Sequence, residues 1–215
     1  MIADIVLPSG NEDEFIQMAK RLGYKSLCFA YSKLPDKKPK PAGLQIYNCA
    51  LATIENAKKP GKSDLVIVES SEKDRRAVEK ERPDLIFGFE NSKKHDFLHQ
   101  RNSGLNHILC RLAKENSVMI GFSFSHLMGM DPRLLGRVMQ NIRLCRKHGT
   151  KMLIASFARE PYMMRSATDL ASVFVSLGMR PEEAKAALEV AIDRIQHNRE
   201  RKSPRFIAPG ARYVD

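Results

Sequence analysis

The sequence lacks long hydrophobic runs and lacks the common motifs of nucleotide-dependent and hydrolytic enzymes. A membrane-spanning helix requires about 20 consecutive apolar residues, and no apolar run in the 215 residues is nearly that long. The phosphate-binding patterns Gly-x-Gly-x-x-Gly and Gly-x-x-x-x-Gly-Lys-Ser/Thr are absent. Residues 121–125 (GFSFS) come nearest to the Gly-x-Ser-x-Gly of a nucleophile elbow, but the second glycine is missing. These absences exclude a membrane span and argue against the commonest enzyme classes.

Cysteine pairs with metal-ligand spacing are also absent. The four cysteines, Cys28, Cys49, Cys110 and Cys145, are far apart and each lies in an apolar segment. Such cysteines are typical of buried thiols in a reducing compartment, which disfavours disulfides and zinc. The first fifteen residues have no basic segment ahead of an apolar one, so we expect no signal peptide and a cytoplasmic protein.

Positive charge is abundant. Lysine and arginine number 36 against 25 acidic residues, which gives a formal net charge of +11. An excess of this size attracts polyanions, and nucleic acid is the favoured partner. Some proteins of the cytosol are basic without binding nucleic acid, so this alternative stays open. A membrane surface is less favoured, because no helical segment combines strong amphipathicity with exposed aromatic residues.

Short apolar runs alternate with amphipathic segments along the chain. Nearly continuous apolar runs are typical of parallel strands that are covered on both faces. The predicted strands are 2–7, 26–31, 44–51, 64–69, 85–89, 118–123 and 152–156. The predicted helices are 12–22, 72–81, 103–115, 132–148, 168–177 and 181–196. This alternation predicts an α/β fold, a TIM-barrel-like barrel of about seven parallel strands surrounded by helices.

Two segments fall outside the alternation. Residues 33–41 hold four lysines and three prolines, and we interpret them as an extended basic loop. Residues 197–215 are polar and basic. We therefore expect one barrel domain over residues 1–196, followed by a loosely packed basic tail over 197–215.

Residues that could support catalysis are few. His95 and His99 have the i, i+4 spacing of a helical metal site, but the glutamate of the metalloprotease pattern does not follow His95. The predicted strand ends carry Asp4, Glu69 and Glu90 without an obvious metal-binding cluster. We therefore predict no catalytic residues and no metal ligands in this chain.

The basic residues are more suggestive. In helix 132–148, Arg133, Arg137, Arg143 and Lys147 lie roughly opposite the apolar face, and no acidic residue occurs between 133 and 147. This stripe has no ion-pair partner within the helix, so it suits phosphate contacts, although a solvated helix face is the ordinary alternative.

Two further segments place arginine beside a helix start, where free backbone N–H groups favour an anion. In the segment 101–106 we expect Asn102 or Ser103 to cap the helix that follows. The second segment, residues 156–169, joins a strand end to a helix that Ser166 or Thr168 can cap, and it contains Arg159 and Arg165. The full set of predicted RNA-binding residues is Lys93, Lys94, Arg101, Asn102, Ser103, Asn106, Arg133, Arg137, Arg143, Lys147, Arg159 and Arg165.

Several of these residues lie in segments that resemble a known family. HQRNSGLNHILCRLAKENSVMIGFSFS (99–125), RLCRKHGTKMLIASFA (143–158) and RSATDLASVFVSLGM (165–179) resemble the barrel subunit of archaeal and eukaryotic ribonuclease P, and DIVLP (4–8) fits its first strand. The resemblance covers nearly the whole chain. It implies a barrel related to the polymerase-and-histidinol-phosphatase (PHP) phosphoesterases. Their His-x-His metal motif has no counterpart in residues 7–10 (LPSG).

The resemblance also implies a function. It implies a protein subunit that binds and activates the catalytic RNA of ribonuclease P, which removes the 5′ leader of precursor tRNA. Mg²⁺ would be held by that RNA and no cofactor by this chain. The implied partners are the ribonuclease P RNA, precursor tRNA, a small α/β protein subunit and other ribonuclease P proteins. The alternatives are a metal-dependent PHP-type phosphoesterase and another barrel enzyme with an anionic substrate at the edge formed by residues 156–166.

Overall fold

Seven parallel strands, hydrogen-bonded in chain order, form the centre of the protein. The computed structural model describes residues 1–35, 43–57, 63–92, 95–99 and 101–202, and the backbone of 206–208 and 211–212. Most of the predicted basic loop at 33–41 therefore lies outside the described residues, as do Lys93 and Lys94. Within the described ranges, no helix combines the length and apolar composition needed to cross a membrane.

The seven predicted strands and their order are confirmed. Each observed strand starts and ends within two residues of its predicted position. The strands are β1 Ala3–Val6, β2 Ser26–Tyr31, β3 Gln45–Ala52, β4 Val66–Glu69, β5 Leu85–Phe87, β6 Met119–Ser123 and β7 Met152–Ala155. Phe206–Ala208 and Ala211–Arg212 form a separate antiparallel pair, β8 and β9.

Helices follow most of the strands and surround the sheet. They are α1 Glu12–Arg21, α2 Asp74–Arg76, α3 His107–Glu115, α4 Pro132–His148, α5 Ala167–Ser176 and α6 Pro181–Lys202. Helix α4 has the predicted bounds because Asp131 accepts a hydrogen bond from the Arg133 N–H at its start, while Gly149 at φ 67° ends it. Helix α2 continues as a π-helical turn over Ala77–Glu81, where a regular helix was expected.

The core has an inner and an outer part. The inner cluster contains alternate residues of the strands, among them Ile5, Ile67, Phe87 and Leu153, and it is completed by residues of α6. The outer clusters lie between the sheet and the other helices. This burial of both faces explains why the strands read as nearly continuous apolar runs.

Helix α6 extends beyond its predicted end at residue 196 and runs to Lys202. Its last turns are fixed to the residues that precede β4, because Arg199 Nη2 lies 2.8 Å from Asp64 Oδ1 and Lys202 Nζ donates to the Ser63 carbonyl at 2.7 Å. Arg194 pairs with Asp84 at 2.6 Å, just before β5. The predicted start of the tail at residue 197 is therefore wrong, since polar contacts hold residues 197–202 in the helix although they lack an apolar pattern.

The barrel closes where β1 meets the chain just beyond β7. The Leu7 N–H donates to the Ala158 carbonyl and the Phe157 N–H donates to the Ile5 carbonyl, both at 2.8 Å. Beside these bonds the buried Asp4 carboxyl accepts from the Ser156 N–H at 2.7 Å and from the Ser156 hydroxyl at 2.6 Å. Burial raises the pKa of Asp4 to about 6 although these hydrogen bonds oppose the shift.

The Asp4 carboxyl predicts a pH-dependent contribution to the free energy of unfolding. Its pKa is about 6 in the folded protein against an ordinary 3.8, so the folded state binds this proton more tightly than the unfolded chain does. The resulting stabilisation is fully present below the unfolded pKa and is lost as the pH rises through the folded pKa. Asp4→Asn removes this titration. We expect the stability of the wild type relative to Asp4→Asn to fall by about 2 kcal/mol between about pH 4 and pH 7.

Urea unfolding across this pH range measures the difference. Asp193→Asn, at an exposed position of α6, is the matched control, and its stability relative to wild type should not change in this way. A constant difference between Asp4→Asn and wild type at every pH would contradict the assignment.

Candidate nucleic-acid interface

The chain between β5 and α3 includes residues 95–99 and 101–106, named here the docked loop, which lies against one face of α4. Three polar side chains of α4, spaced i, i+3 and i+4, hold it there: Arg137, Gln140 and Asn141. Helical residues at this spacing share one face. Part of the face of α4 that was predicted to be basic and exposed to solvent therefore binds another segment of the same chain.

Arg137 makes the strongest of these contacts. Its Nη2 lies 2.8 Å and its Nε 2.9 Å from Asp96 Oδ1, and Nη1 donates to the carbonyls of Glu90 at 3.0 Å and Ser92 at 2.7 Å. Asp96 also accepts from the Asn102 N–H at 2.8 Å. Burial alone would raise the pKa of the Asp96 carboxyl, but these hydrogen bonds and the charges of Arg137 and Arg101 outweigh it and lower that pKa.

The second half of the docked loop is held by amide side chains. Gln140 Nε2 donates to the Arg101 carbonyl at 3.1 Å and to the Ser103 hydroxyl at 3.0 Å. The buried Asn141 donates to the Ser103 carbonyl at 3.0 Å. Ser103 is itself buried and bonded to Gln140, so it positions the loop. Its role in binding RNA stays a prediction.

Helix α3 starts later than predicted. Asn106, not Asn102 or Ser103, caps it by accepting from the Leu109 N–H at 2.9 Å. The residues before it cannot be helical because Gly104 has a φ of +77° and lies against the chain just after β5, where a Cβ atom would come within 2.2 Å of the Phe89 carbonyl oxygen. Asn102 is likewise occupied within the loop, since its side chain lies 3.4 Å from the His95 carbonyl.

Arg101 reaches across the surface of α4. A Cβ atom at Gly136 would lie 2.3–2.6 Å from three guanidinium atoms of Arg101, so the guanidinium occupies the gap that this glycine leaves in the helix surface. Its Nη1 is 4.0 Å from Asp96 Oδ2, and its side chain is 47% exposed. Since Asp96 is already bonded to Arg137 at 2.8 Å, little of its charge is left to neutralise Arg101.

The remaining cations of α4 differ in their pairing. Arg133 is 77% exposed but pairs with the cap residue Asp131 at 3.3 Å. Arg143 and Lys147 are exposed near the carboxyl-terminal end of the helix. Arg133 and Arg137 have no ion-pair partner between residues 133 and 147, as the sequence indicated, but each pairs with a carboxylate outside that range, Asp131 and Asp96. Arg101, which comes from the docked loop, lies beside the same surface.

Two grooves border the docked loop. One, of about 640 Å³, has Asn102, Asn106 and the strand-end residue Glu69 among its lining residues. The other, of about 650 Å³, is lined by residues that include Arg101, Gly136 and Arg143. Phe97 lines both grooves.

The second predicted group, Arg159 and Arg165, lies elsewhere, in the chain between β7 and α5. Arg159 is exposed and lines a cleft with residues at the ends of β1 and β2. Arg165 donates to the carbonyls of Tyr162 at 2.9 Å and Met164 at 2.7 Å, and its guanidinium lies 5.3 Å from the Phe124 ring centroid. Ser166 caps α5, as one of the two predicted alternatives. These contacts give Arg165 a structural role.

A polar cluster that sequence spacing did not reveal lies at the carboxyl ends of β5 and β6. Glu90 is fully buried with its Oε1 3.0 Å from His126 Nδ1, and Asn91 Nδ2 lies 2.9 Å from the same nitrogen. His126 is more than thirty positions from Glu90 and Asn91 in sequence, so no local motif joins it to them. Across the residues that the structure describes, no group of three or more His, Cys, Asp or Glu side chains is arranged to hold a metal ion.

Comparison with known proteins gives consistent matches. A family model described as RNase P subunit p30 matches residues 1–203. Ribonuclease P protein component 3 of Methanosarcina mazei is 27% identical over 94% of this chain and 89% of its own length. The protein of the same name from Methanothermobacter thermautotrophicus is 26% identical over 79% of this chain and 77% of its own.

The solved structures show the fold. A chain of an archaeal ribonuclease P solved with mature tRNA superposes with a TM-score of 0.78 at 21% identity, covering 98% of both chains. An amidohydrolase superposes with a TM-score of 0.56 at 8% identity, over 93% of this chain and 75% of its own. The predicted TIM-barrel-like architecture is confirmed. With the family match extending from β1 through the whole of α6, the chain belongs to the RNase P subunit p30 family.

Proposed function

We propose that this ribonuclease P subunit binds RNA through Arg101 of the docked loop and the exposed cations of α4. In this proposal the catalytic RNA performs the cleavage of precursor tRNA and holds the Mg²⁺ ions, while this chain contributes fixed positive charge. The proposed partners are the ribonuclease P RNA with precursor tRNA, the small α/β protein subunit and other ribonuclease P proteins. We place the assembly in the cytoplasm, in keeping with four buried free cysteines.

The observation that carries the proposal is the exposed, poorly neutralised guanidinium of Arg101. Its only ion-pair contact among the described residues is at 4.0 Å, to a carboxylate that Arg137 already occupies at 2.8 Å. A cation held in place with its charge largely uncompensated is suited to a phosphate, because binding then releases counterions without breaking an internal ion pair.

The geometry of α4 extends this surface. Gly136, over which the Arg101 guanidinium lies, and Lys147 are eleven positions apart, which corresponds to about 17 Å along a helix. Cations over such a length can contact several phosphates of a folded RNA, whose backbone and shape proteins read more readily than its paired bases. Neutralising phosphates that approach one another would let the RNA reach its active fold at lower Mg²⁺ concentration.

The two alternative enzyme functions have less support. A PHP-type phosphoesterase needs clustered metal ligands, and the described residues offer none with suitable geometry. A barrel enzyme with an anionic substrate at the 156–166 edge would need several polar groups there that are free to bind it, and Arg159 is the exposed cation described above. The Ser156 hydroxyl is instead buried and donates to Asp4 at 2.6 Å.

We expect Arg101→Ala/Arg143→Ala to weaken RNA activation because two phosphate contacts are lost. In holoenzyme reconstituted from the ribonuclease P RNA and its proteins, cleavage of precursor tRNA at limiting Mg²⁺ should fall about tenfold and recover at high Mg²⁺. The slope of log affinity against log salt should decrease in magnitude by about 2.

Lys20→Ala/Lys185→Ala is the charge-matched control, since both lysines are exposed and belong to α1 and α6, which contribute no residue to the docked loop or to α4. It should change the cleavage rate by less than about twofold, as expected of surface substitutions remote from a binding site. Equal losses in the two double variants would mean that total charge, and not this surface, matters. No loss in either would refute the proposed site.

Gly136→Ala tests the position of Arg101 without removing its charge. The added methyl group would occupy the space of the Arg101 guanidinium, 2.3–2.6 Å away, so the guanidinium must move. Alanine should not destabilise α4, because it favours a helix interior over glycine by about 1 kcal/mol. We expect an unchanged or raised melting temperature together with a loss of cleavage at limiting Mg²⁺.

The double variant Arg101→Ala/Gly136→Ala completes a thermodynamic cycle. If Gly136→Ala acts by displacing Arg101, the double variant should be no less active than Arg101→Ala alone. Additive losses would show that the methyl group disturbs binding by another route and would contradict the role assigned to Gly136.

A further inference from the structure

The docked loop exposes two large apolar side chains. Phe97 is 70% exposed and Leu98 is 93% exposed. A single exposed apolar residue is ordinary on a protein surface and needs no explanation. Phe97 is distinguished by its surroundings, because it lines the grooves on both sides of the loop and shares each of them with Arg101.

The backbone that carries Phe97 is held in place. The preceding residue, Asp96, receives two hydrogen bonds from the buried Arg137 and one from the Asn102 N–H, at 2.8–2.9 Å. The chain is therefore anchored to α4 immediately before an aromatic ring that the fold leaves in solvent. A group that is already ordered loses little conformational entropy on binding, so its contact area contributes more fully to affinity.

The charge around Phe97 indicates the partner. Arg101 and Arg143 line the second groove with Phe97 and the exposed His99. The acidic residue of that groove, Asp96, is bonded to Arg137 at 2.8 Å. In this second groove an exposed aromatic ring lies beside cations, whereas the first groove also contains Glu69, Glu72 and Asp74. A ring beside cations is the combination that binds single-stranded nucleic acid, in which bases stack on rings while cations contact the phosphates.

We propose that Phe97 is a stacking platform for an unpaired RNA base, with Arg101 and Arg143 contacting the neighbouring phosphates. This inference rests on the proposed function and adds to it, because it assigns an unpaired nucleotide of a loop or bulge, and not only the backbone of a helix, to this surface. Stacking tolerates any base, so Phe97 supplies affinity and register with little sequence selectivity.

Three substitutions at Phe97 separate stacking from simple apolar contact. Phe97→Ala removes the ring, Phe97→Leu keeps apolar area without a ring, and Phe97→Tyr keeps the ring. Affinity of the full-length protein for the ribonuclease P RNA, measured at several salt concentrations, should fall about tenfold for alanine and leucine and remain near wild type for tyrosine. The salt slope should be unchanged in all three, since no charge is removed. Retained affinity in Phe97→Leu would overturn the proposal.

Direct observation is possible because the chain contains no tryptophan. Phe97→Trp introduces a single reporter, whose fluorescence should be quenched when the ribonuclease P RNA binds and a base stacks on the indole. Full fluorescence in the RNA-bound protein would overturn the proposal.

The outcomes also separate this inference from the proposed function. If Phe97→Ala binds RNA normally while Arg101→Ala/Arg143→Ala does not, stacking fails and the RNA-binding surface stands. If neither variant loses affinity, both fail. If Phe97→Ala instead weakens association with the small protein subunit in the absence of RNA, Phe97 belongs to a protein interface and the stacking proposal is overturned.

Discussion

The buried guanidinium of Arg137 is the contact on which the arrangement of the candidate interface depends. It joins α4 to the Asp96 carboxylate and to the carbonyls of Glu90 and Ser92, which belong to the chain after β5. A lysine could not replace it, because a single ammonium lacks the planar fork that serves a carboxylate and two carbonyls at once. This contact anchors Asp96, the residue before Phe97, while Gln140 holds the backbone carbonyl of Arg101.

The distinction between paired and unpaired cations explains how a basic protein can present charge at one place. Several arginines are neutralised by the fold itself, including Arg146 by Glu183 and Arg194 by Asp84. Ion pairs cancel in the net charge of +11, so the excess resides on cations without such partners. A cation that stabilises the fold has a carboxylate within hydrogen-bonding distance, whereas a cation available to a polyanion does not. Arg101, held in place by the docked loop, is a cation of the second kind.

The sequence predicted the barrel well and the interface only in part, for physical reasons. Strands such as β2 and β6 are buried on both faces, and a run of buried residues is a local signal. The role of Arg137 depends on Asp96, which is forty-one positions away, and a helical projection of α4 cannot contain that partner. The start of α3 was placed too early because Ser103 resembles a cap, whereas the contact of Gly104 with Phe89 that keeps these residues out of the helix is tertiary. Arg101 was identified from its position before a predicted helix start, but its place over Gly136 required the fold.

Side chains fill the end of the barrel at the carboxyl ends of the strands, and this explains why the candidate interface lies at the side of the barrel. The carboxyl ends of the strands are where barrel enzymes place their substrates. Here the buried rings of Phe87 and Phe157 stack at that end with centroids 4.2 Å apart, and His126 stacks on Phe87 at 6.0 Å. Side chains that occupy this space leave the long chain segment after β5 as a surface for recognition. Because that segment is held on α4 by a buried ion pair, it presents fixed charges and an aromatic ring to a large, shape-defined partner, and a folded RNA is such a partner.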